Sequence, residues 1–222
     1  MSRLPLTFDD KGLIPVIVQD RLTGEVRMFA FATSEAVRTT LETGRATFWS
    51  RSRGELWQKG QTSGNEVRVE QILVDCDSDC LVYSGEPHGN SCHTGAPSCF
   101  FQALEGEAVT QASERPQTIL ATLEVLLESR KAATASESYT KSLYDGGVTA
   151  IGAKICEEAR ELAQSLEAES DNRVVSEAAD TLYHLLVGLR ARSIPLRRVL
   201  AELARRSGTS GHEEKKSRSQ VR

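Results

Sequence analysis

The chain has no apolar run approaching the roughly 18 residues of a membrane-spanning helix, and no CxxC pair of the kind that marks structural zinc sites. It also lacks a basic excess, since 27 Lys and Arg stand against 31 Asp and Glu for a formal net charge of −4. The first absence argues against a helical membrane anchor, and the third against a dedicated nucleic-acid binder. The opening residues, MSRLPLTFDDKG, carry two acids and no apolar core, so they are not read as a secretory signal, and a cytoplasmic protein is expected. In that reducing setting five cysteines, an odd number, point to thiols or metal ligands rather than a disulfide frame. What is present is ordinary for a globular chain. Its 222 residues are 39% hydrophobic and 26% charged, with room for one large or two small domains and no internal repeat.

Texture divides the chain. From residue 13 to about 104, short strand-like runs (IPVIVQ, EVRMFAF, ATFWS, ELWQKG, EVRVEQILVD, CLVYSG) alternate with Gly, Asn and Ser turns. From about residue 117 the period becomes helical. Ile119, Leu120, Leu123, Leu126 and Leu127 form one stripe; Ile151, Ile155, Ala159 and Leu162 a second; Val174, Ala178, Leu182, Leu185 and Leu186 a third. Ser193-Ile194-Pro195 opens a last helix through Leu203. The fold class expected is α+β in two domains: a mostly-β metal-binding domain over residues 1–106, a linker over 107–116, and an all-α domain over 117–206. Residues 207–222 lack apolar periodicity and read as a disordered tail.

The run ILVDCDSDCLVY sets Asp75, Asp77 and Asp79 inside an apolar β-type stretch. On an extended strand residues two apart share a face, about 6–7 Å from each other. Three carboxylates so placed suit a hard cation such as Mg²⁺ or Ca²⁺, or else form a solvated sheet edge. A helix-flanked calcium loop is excluded, because its sixth position would be Cys80 where Gly is needed, and the flanks read as strands. Cys76, Cys92 and Cys99 together could make a three-thiolate zinc site with an open fourth position, against the simpler reading of buried free thiols. His93 beside Cys92 could relay a proton or serve a structural role. In FWSRSRGELWQKGQTSGN, Arg51, Arg53 and Lys59 supply cations, Ser52, Thr62 and Ser63 hydroxyls, and Gly60 and Gly64 close backbone approach. These are the parts of a phosphate-binding surface, or of two exposed hairpin turns.

FWSRSRGELWQKGQTSGN, then VDCDSDC, then CHTGAPSCF closely resemble phosphoribosyl-AMP cyclohydrolase. The resemblance implies a zinc-dependent hydrolase of histidine biosynthesis that opens the adenine ring between N1 and C6 with a zinc-bound hydroxide. It further implies a homodimer whose zinc is shared, Cys76 coming from one chain and Cys92 and Cys99 from the other, with Asp75, Asp77 and Asp79 holding Mg²⁺. The sequence departs from the family's usual pattern at Ala32-Thr33 and at Ala96-Pro97. Cys80 lies outside the motif and is expected to be inert.

In the helical half, Glu158 and Glu161 share one helix face and Glu177 and Asp180 another, an acidic cage for a divalent cation or a solvated face. With Ser138-Tyr139-Thr140-Lys141 and Tyr183-His184 this half resembles phosphoribosyl-ATP pyrophosphohydrolase, an all-α, Mg²⁺-dependent family. The resemblance implies hydrolysis of phosphoribosyl-ATP to phosphoribosyl-AMP and pyrophosphate. Glu157, Glu158, Glu161, Glu177 and Asp180 would hold Mg²⁺, Glu158 and Glu161 acting in catalysis, and Lys154 (with Arg130 and Lys131 behind it) would offset phosphate charge. Cys156 is expected to pack and His184 to be structural. The chain thus reads as a bifunctional hydrolase whose C-terminal domain makes the substrate of the N-terminal one. Two other readings remain: a cyclohydrolase with a degenerate helical dimerisation domain, and a zinc-stabilised interaction module.

Overall fold

The structure is a computed structural model, described here over residues 4–112, 116–132 and 138–207. The expected tail, beyond Ser207, lies outside the described residues. The chain forms two compact units that divide between Thr118 and Ile119.

The first unit is built on β1 (Ile14–Asp20), β2 (Val26–Ala32), β3 (Thr47–Ser50), β4 (Glu55–Gln58), β5 (Val67–Val74) and β6 (Leu81–Pro87). They form one sheet in the order β4-β3-β2-β1-β6-β5. Only β1 and β6 pair in parallel, with Val16 opposite Leu81 and Val18 opposite Tyr83; the other neighbours are antiparallel. Alternation selects the inner face: Ile14, Val16 and Val18 of β1 are buried, as are Leu81 and Tyr83 of β6. Phe48 fills the centre between Tyr83 and Trp57, with ring centroids 5.6 and 5.0 Å away. The sheet curls because its far strand reaches back to the segment ahead of β3. Ala46 N–H donates to Val67 O at 3.1 Å, and Val69 N–H to Gly44 O at 2.8 Å.

Sequence reading misses three elements of this unit. Helix α1 (Ser34–Thr43) stands where only strands were expected; Thr33 caps it by accepting from Ala36 N–H at 3.2 Å, and Gly44 ends it with a φ of 67°. Strands β7 (Gln102–Glu105) and β8 (Ala108–Gln111) make a separate hairpin across Gly106 and Glu107. The polar segment 107–116, expected to be a linker, therefore carries β8.

A third correction concerns the aspartates. Asp75 to Asp79 do not alternate along a strand: β5 stops at Val74, and a turn carries the chain to β6. Ser78 takes a φ of 65°, and one Asp75 carboxylate oxygen accepts from both Asp79 N–H (3.0 Å) and Cys80 N–H (2.9 Å). Turn-forming side chains outweigh the apolar flanks here.

In the second unit, α2 (Ile119–Ser129) leads through a 3-10 turn at Arg130–Ala132 to α3 (Tyr139–Asp145), α4 (Gly147–Ala168), α5 (Asp171–Ala191) and α6 (Leu196–Ser207). Helices α4 and α5 fold back on each other across Glu169 and Ser170. Leu127, Leu143, Ile151, Leu186, Val187 and Leu196 close the core. Leu182 and Leu185 of the expected stripe stay more than two-fifths exposed. Among the described residues no helix is long and apolar enough to cross a membrane.

Candidate active sites

The loop after β6 carries Cys92 and Cys99, and β2 holds it in place. Cys99 N–H donates to Arg27 O at 2.8 Å and Ser98 Oγ to Val26 O at 2.7 Å. The buried Arg27 guanidinium binds Glu25 (2.7 Å), Ser91 Oγ (3.2 Å) and Gly89 O (2.8 Å). Inside the loop, Ser91 and Cys92 N–H groups donate to Pro97 and Ala96 carbonyls at 3.1 Å. The main chain at Ala96-Pro97, where the sequence departs from the usual motif, thus takes part in shaping the thiol loop through its carbonyls.

The two thiols interact, and their environments pull them apart. Burial works against ionising Cys92, yet the Thr94 hydroxyl donating to its Sγ at 3.1 Å, helped by the backbone and by Cys99, holds it below its ordinary value. Cys99 is pushed up to about 11 by desolvation and by the charge of Cys92. His93 Nδ1 lies 4.0 Å from Cys92 Sγ. Cys76, exposed on the aspartate turn, does not join them: among the described residues no three-ligand group containing these cysteines falls within 4.8 Å. Cys80 is half-buried, and burial raises its thiol.

Beside the thiols opens a cavity of about 750 Å³ lined by Arg53, Trp57, Lys59, Thr62, Ser63 and His93, among others. The turn Lys59–Gly64 forms one wall. Gly60 is indispensable to it, because its φ is 85° and a Cβ there would stand 2.5 Å from Glu66 N. Gly60→Ala is expected to cost roughly 1–3 kcal/mol in strain, checked by thermal unfolding. Lys59 is only 8% exposed. Burial lowers its pKa first of all; the Cys99 and Cys92 thiols oppose that shift, and Arg27 adds to it. Arg51 and Ser52 do not line the cavity, and the Arg51 guanidinium sits 4.2 Å over the Phe31 ring.

On the turn between β5 and β6, Asp75, Asp77 and Asp79 bring carboxylate oxygens within 4.8 Å of one another, all exposed. The Cys80 N–H leads in holding Asp75 low, while hydrogen bonding to Asp75 and the charge of Asp77 raise Asp79.

The second acidic group lies on α4 and α5. Glu158, Glu177 and Asp180 oxygens fall within 4.8 Å of one another, with Glu158 and Glu177 buried. Lys154 Nζ binds Glu158 at 2.9 Å and Glu157 at 3.1 Å, and these bonds raise its pKa. Arg173 binds one Glu177 oxygen at 2.6 Å; the other, Oε2, is buried with no hydrogen-bond partner. Burial leads in raising Glu177, with Arg173 opposing and Glu161, Asp180 and Glu158 reinforcing. A desolvated, unpaired carboxylate oxygen among other carboxylates calls for a cation. Glu161 contributes charge to this cluster, whereas Glu157 is outside it. His184, buried between Tyr139 and Tyr183, contacts Asp180 O at 2.8 Å through Nδ1 and Tyr139 Oη at 3.2 Å through Nε2. Arg130 and Lys131 are engaged elsewhere, with Thr140 Oγ1 (3.1 Å) and Glu128 (2.9 Å).

Comparison with known proteins places each unit in a family. The phosphoribosyl-AMP cyclohydrolase family profile matches residues 28–101, and the phosphoribosyl-ATP pyrophosphohydrolase profile residues 120–207. A histidine biosynthesis bifunctional protein HisIE from Wolinella succinogenes is 43% identical over 219 residues, covering 96% of each chain. The protein of the same name from Halalkalibacterium halodurans is 46% identical over 90% of this chain and 95% of its own, and that from Aquifex aeolicus 42% over 91% and 98%. The chain belongs to the HisIE family. It is a bifunctional enzyme of histidine biosynthesis, with a phosphoribosyl-AMP cyclohydrolase domain and a phosphoribosyl-ATP pyrophosphohydrolase domain. In this HisIE chain the thiol loop, the cavity and the aspartate turn fall inside the first profile match, and the α4–α5 carboxylates inside the second. Two contributors escaped sequence reading. Arg27 pins the thiol loop, and the signal for it was an opposite-charge pair, Glu25 and Arg27, on either side of Val26 and on the face away from the core residues Met28 and Ala32. Thr94 tunes Cys92 and left no signal beyond its proximity.

Proposed function

We propose that the two reactions occupy two separate sites, the carboxylate cluster of α4–α5 and the thiol cavity of the sheet. The observation that carries this reading is the buried, unpartnered Glu177 Oε2 facing Glu158 and Asp180. Glu158, Glu177 and Asp180 fit Mg²⁺, hard oxygen donors for a hard cation, which would neutralise the triphosphate and polarise the phosphorus under attack. Glu161, whose charge acts on Glu177, would take the proton from the attacking water. Lys154 holds Glu158 in place and adds positive charge at the edge of the cluster.

In the sheet unit Arg53, Thr62 and Ser63 bind a substrate phosphate, and His93 exchanges protons with the purine ring at the cavity wall. The interacting thiols Cys92 and Cys99 fit zinc, which would supply an acidic water for attack on C6. Asp75, Asp77 and Asp79 fit Mg²⁺ through their convergence on one turn. Because Cys76 stands apart from Cys92 and Cys99 within the chain, we assign the third thiolate to a second copy, in a homodimer of cytoplasmic enzyme.

Subunit mixing tests that assignment. Cys76→Ser and Cys92→Ser chains should each be inactive in ring opening, yet recover about a quarter of wild-type activity when co-refolded. Random pairing yields half heterodimers, each with one complete site of two. Cys80→Ser should keep zinc and activity. No recovery on mixing, with zinc bound by neither variant nor mixture, would sink the shared site.

A further inference from the structure

His184 is buried beside the carboxylates of α4–α5 without being one of the grouped ligands. Helix α5 sets it four residues after Asp180, so its ring lies back over that turn. Nδ1 stands 2.8 Å from Asp180 O, and a carbonyl only accepts, so Nδ1 carries the hydrogen. In the neutral ring Nε2 is then the acceptor, and the Tyr139 hydroxyl donates to it at 3.2 Å. The same Nδ1 lies 3.9 Å from Glu158 Oε1, the oxygen that Lys154 Nζ holds at 2.9 Å. At that distance the imidazole and Glu158 attract electrostatically rather than through a hydrogen bond. The N–H pole of one buried ring thus faces the Asp180 carbonyl on α5 and a carboxylate on α4. Tyr139 and Tyr183 stand nearly perpendicular to the ring, with centroids 6.2 and 5.2 Å away, and restrict its turning. A second bridge ties α3 to α5 alongside, where the Thr140 and Tyr183 hydroxyls meet at 2.7 Å.

We propose that His184 is a positioning residue of the carboxylate site, its Nδ1–H aiming Glu158 and the Asp180 turn at a shared cation. The inference rests on the Mg²⁺ reading given above. Carboxylates gathered for one cation repel one another until it binds, and each turns toward the nearest positive pole. At Glu177 that pole is Arg173, which takes one oxygen and leaves the other bare. At Glu158 the Lys154 ammonium and the His184 N–H both stand on the Oε1 side, leaving the second oxygen for the cation. Tyr139 fixes the direction of the ring. A flipped imidazole would lose the bond to Asp180 O and the bond to the Tyr139 hydroxyl together, so Nδ1–H stays on the side of the cluster.

The test is affinity for Mg²⁺ alone, measured by calorimetric titration at fixed pH on the full-length chain with His184→Asn, His184→Gln and His184→Phe. The Glu177→Gln chain is the blank for Mg²⁺ bound elsewhere, and ring opening of added phosphoribosyl-AMP is the control for an intact chain. Asn puts an amide N–H where Nδ1–H stands, Gln puts its amide at the Nε2 position, and Phe keeps a ring without either nitrogen. Losing a group that supports metal ligands typically costs 10–100-fold in affinity, so Phe and Gln are expected to weaken Mg²⁺ by about that factor. Asn should restore affinity to within a few-fold of wild type. If the Phe variant does not fold, the Asn and Gln pair is read the same way. Unchanged Mg²⁺ affinity in the Phe and Gln variants would overturn the proposal, and so would equal weakening by all three substitutions, the mark of a merely structural residue. A wild-type titration that matches the Glu177→Gln blank would instead overturn the underlying Mg²⁺ reading, so the two failures are distinguishable.

Discussion

Replacing Glu177 with Gln should lower pyrophosphate release from phosphoribosyl-ATP about a thousandfold while leaving ring opening of added phosphoribosyl-AMP unchanged. Metal-assisted charge stabilisation is worth several kcal/mol, and each 1.4 kcal/mol or so is tenfold in rate. Gln keeps the shape and an oxygen for Arg173, which binds Glu177 at 2.6 Å, but not the negative charge that Oε2 presents to a cation. The same substitution should raise the thermal midpoint of the metal-free chain. Burial and three nearby carboxylates raise the folded pKa of Glu177. At neutral pH, above its unfolded value, the ionised group therefore costs stability, and that cost ends when the charge is removed. Slower chemistry with a more stable fold is the signature of a functional charge kept at structural expense. Calorimetry with and without Mg²⁺ checks the second half: added cation should stabilise wild type and do little for the variant.

Cys92→Ser should give the reciprocal result. Zinc content and ring opening are expected to be lost, ring opening by at least about a thousandfold on the same scale, while pyrophosphate release continues at the wild-type rate. Serine keeps the size and a hydroxyl partner for Thr94, but it is not a soft anionic donor. Cys99 alone leaves the loop with a single thiol. Loss of both activities together would mean that the units do not act as separate sites.

Both acidic groups were legible in the sequence because their spacing is local. Glu158 with Glu161 and Glu177 with Asp180 are three apart, and a helix puts such pairs on one face whatever surrounds them. The six sheet strands were legible for the same reason, through alternation and turn residues. Helix α1 was not, since it buries only Ala36, Val37 and Thr40, its Leu41 is exposed, and its other residues are Ser, Thr, Arg and Glu, too few apolar positions for a stripe. The hairpin β7–β8 was hidden by polarity: both strands are largely exposed, and the β8 half reads as a linker when only apolar alternation is counted. For the aspartate triple, the grouping came through but the geometry did not, because Asp75 closes a turn by capping two backbone N–H groups. Lys59 marks the deeper limit. It lines one cavity with His93, more than thirty residues away in sequence, and only the fold brings an apparent surface lysine into that wall.

One measurement bears most directly on the claim that a single chain performs two consecutive hydrolyses at two separate sites. Purified protein loaded with Zn²⁺ and Mg²⁺ is given phosphoribosyl-ATP, and pyrophosphate and ring-opened product are followed together in wild type, Glu177→Gln and Cys92→Ser. The expected result is pyrophosphate followed by ring-opened product in wild type, neither from Glu177→Gln, and pyrophosphate with accumulating phosphoribosyl-AMP from Cys92→Ser. Ring-opened product from Glu177→Gln at the wild-type rate, or neither product from wild type, would contradict it.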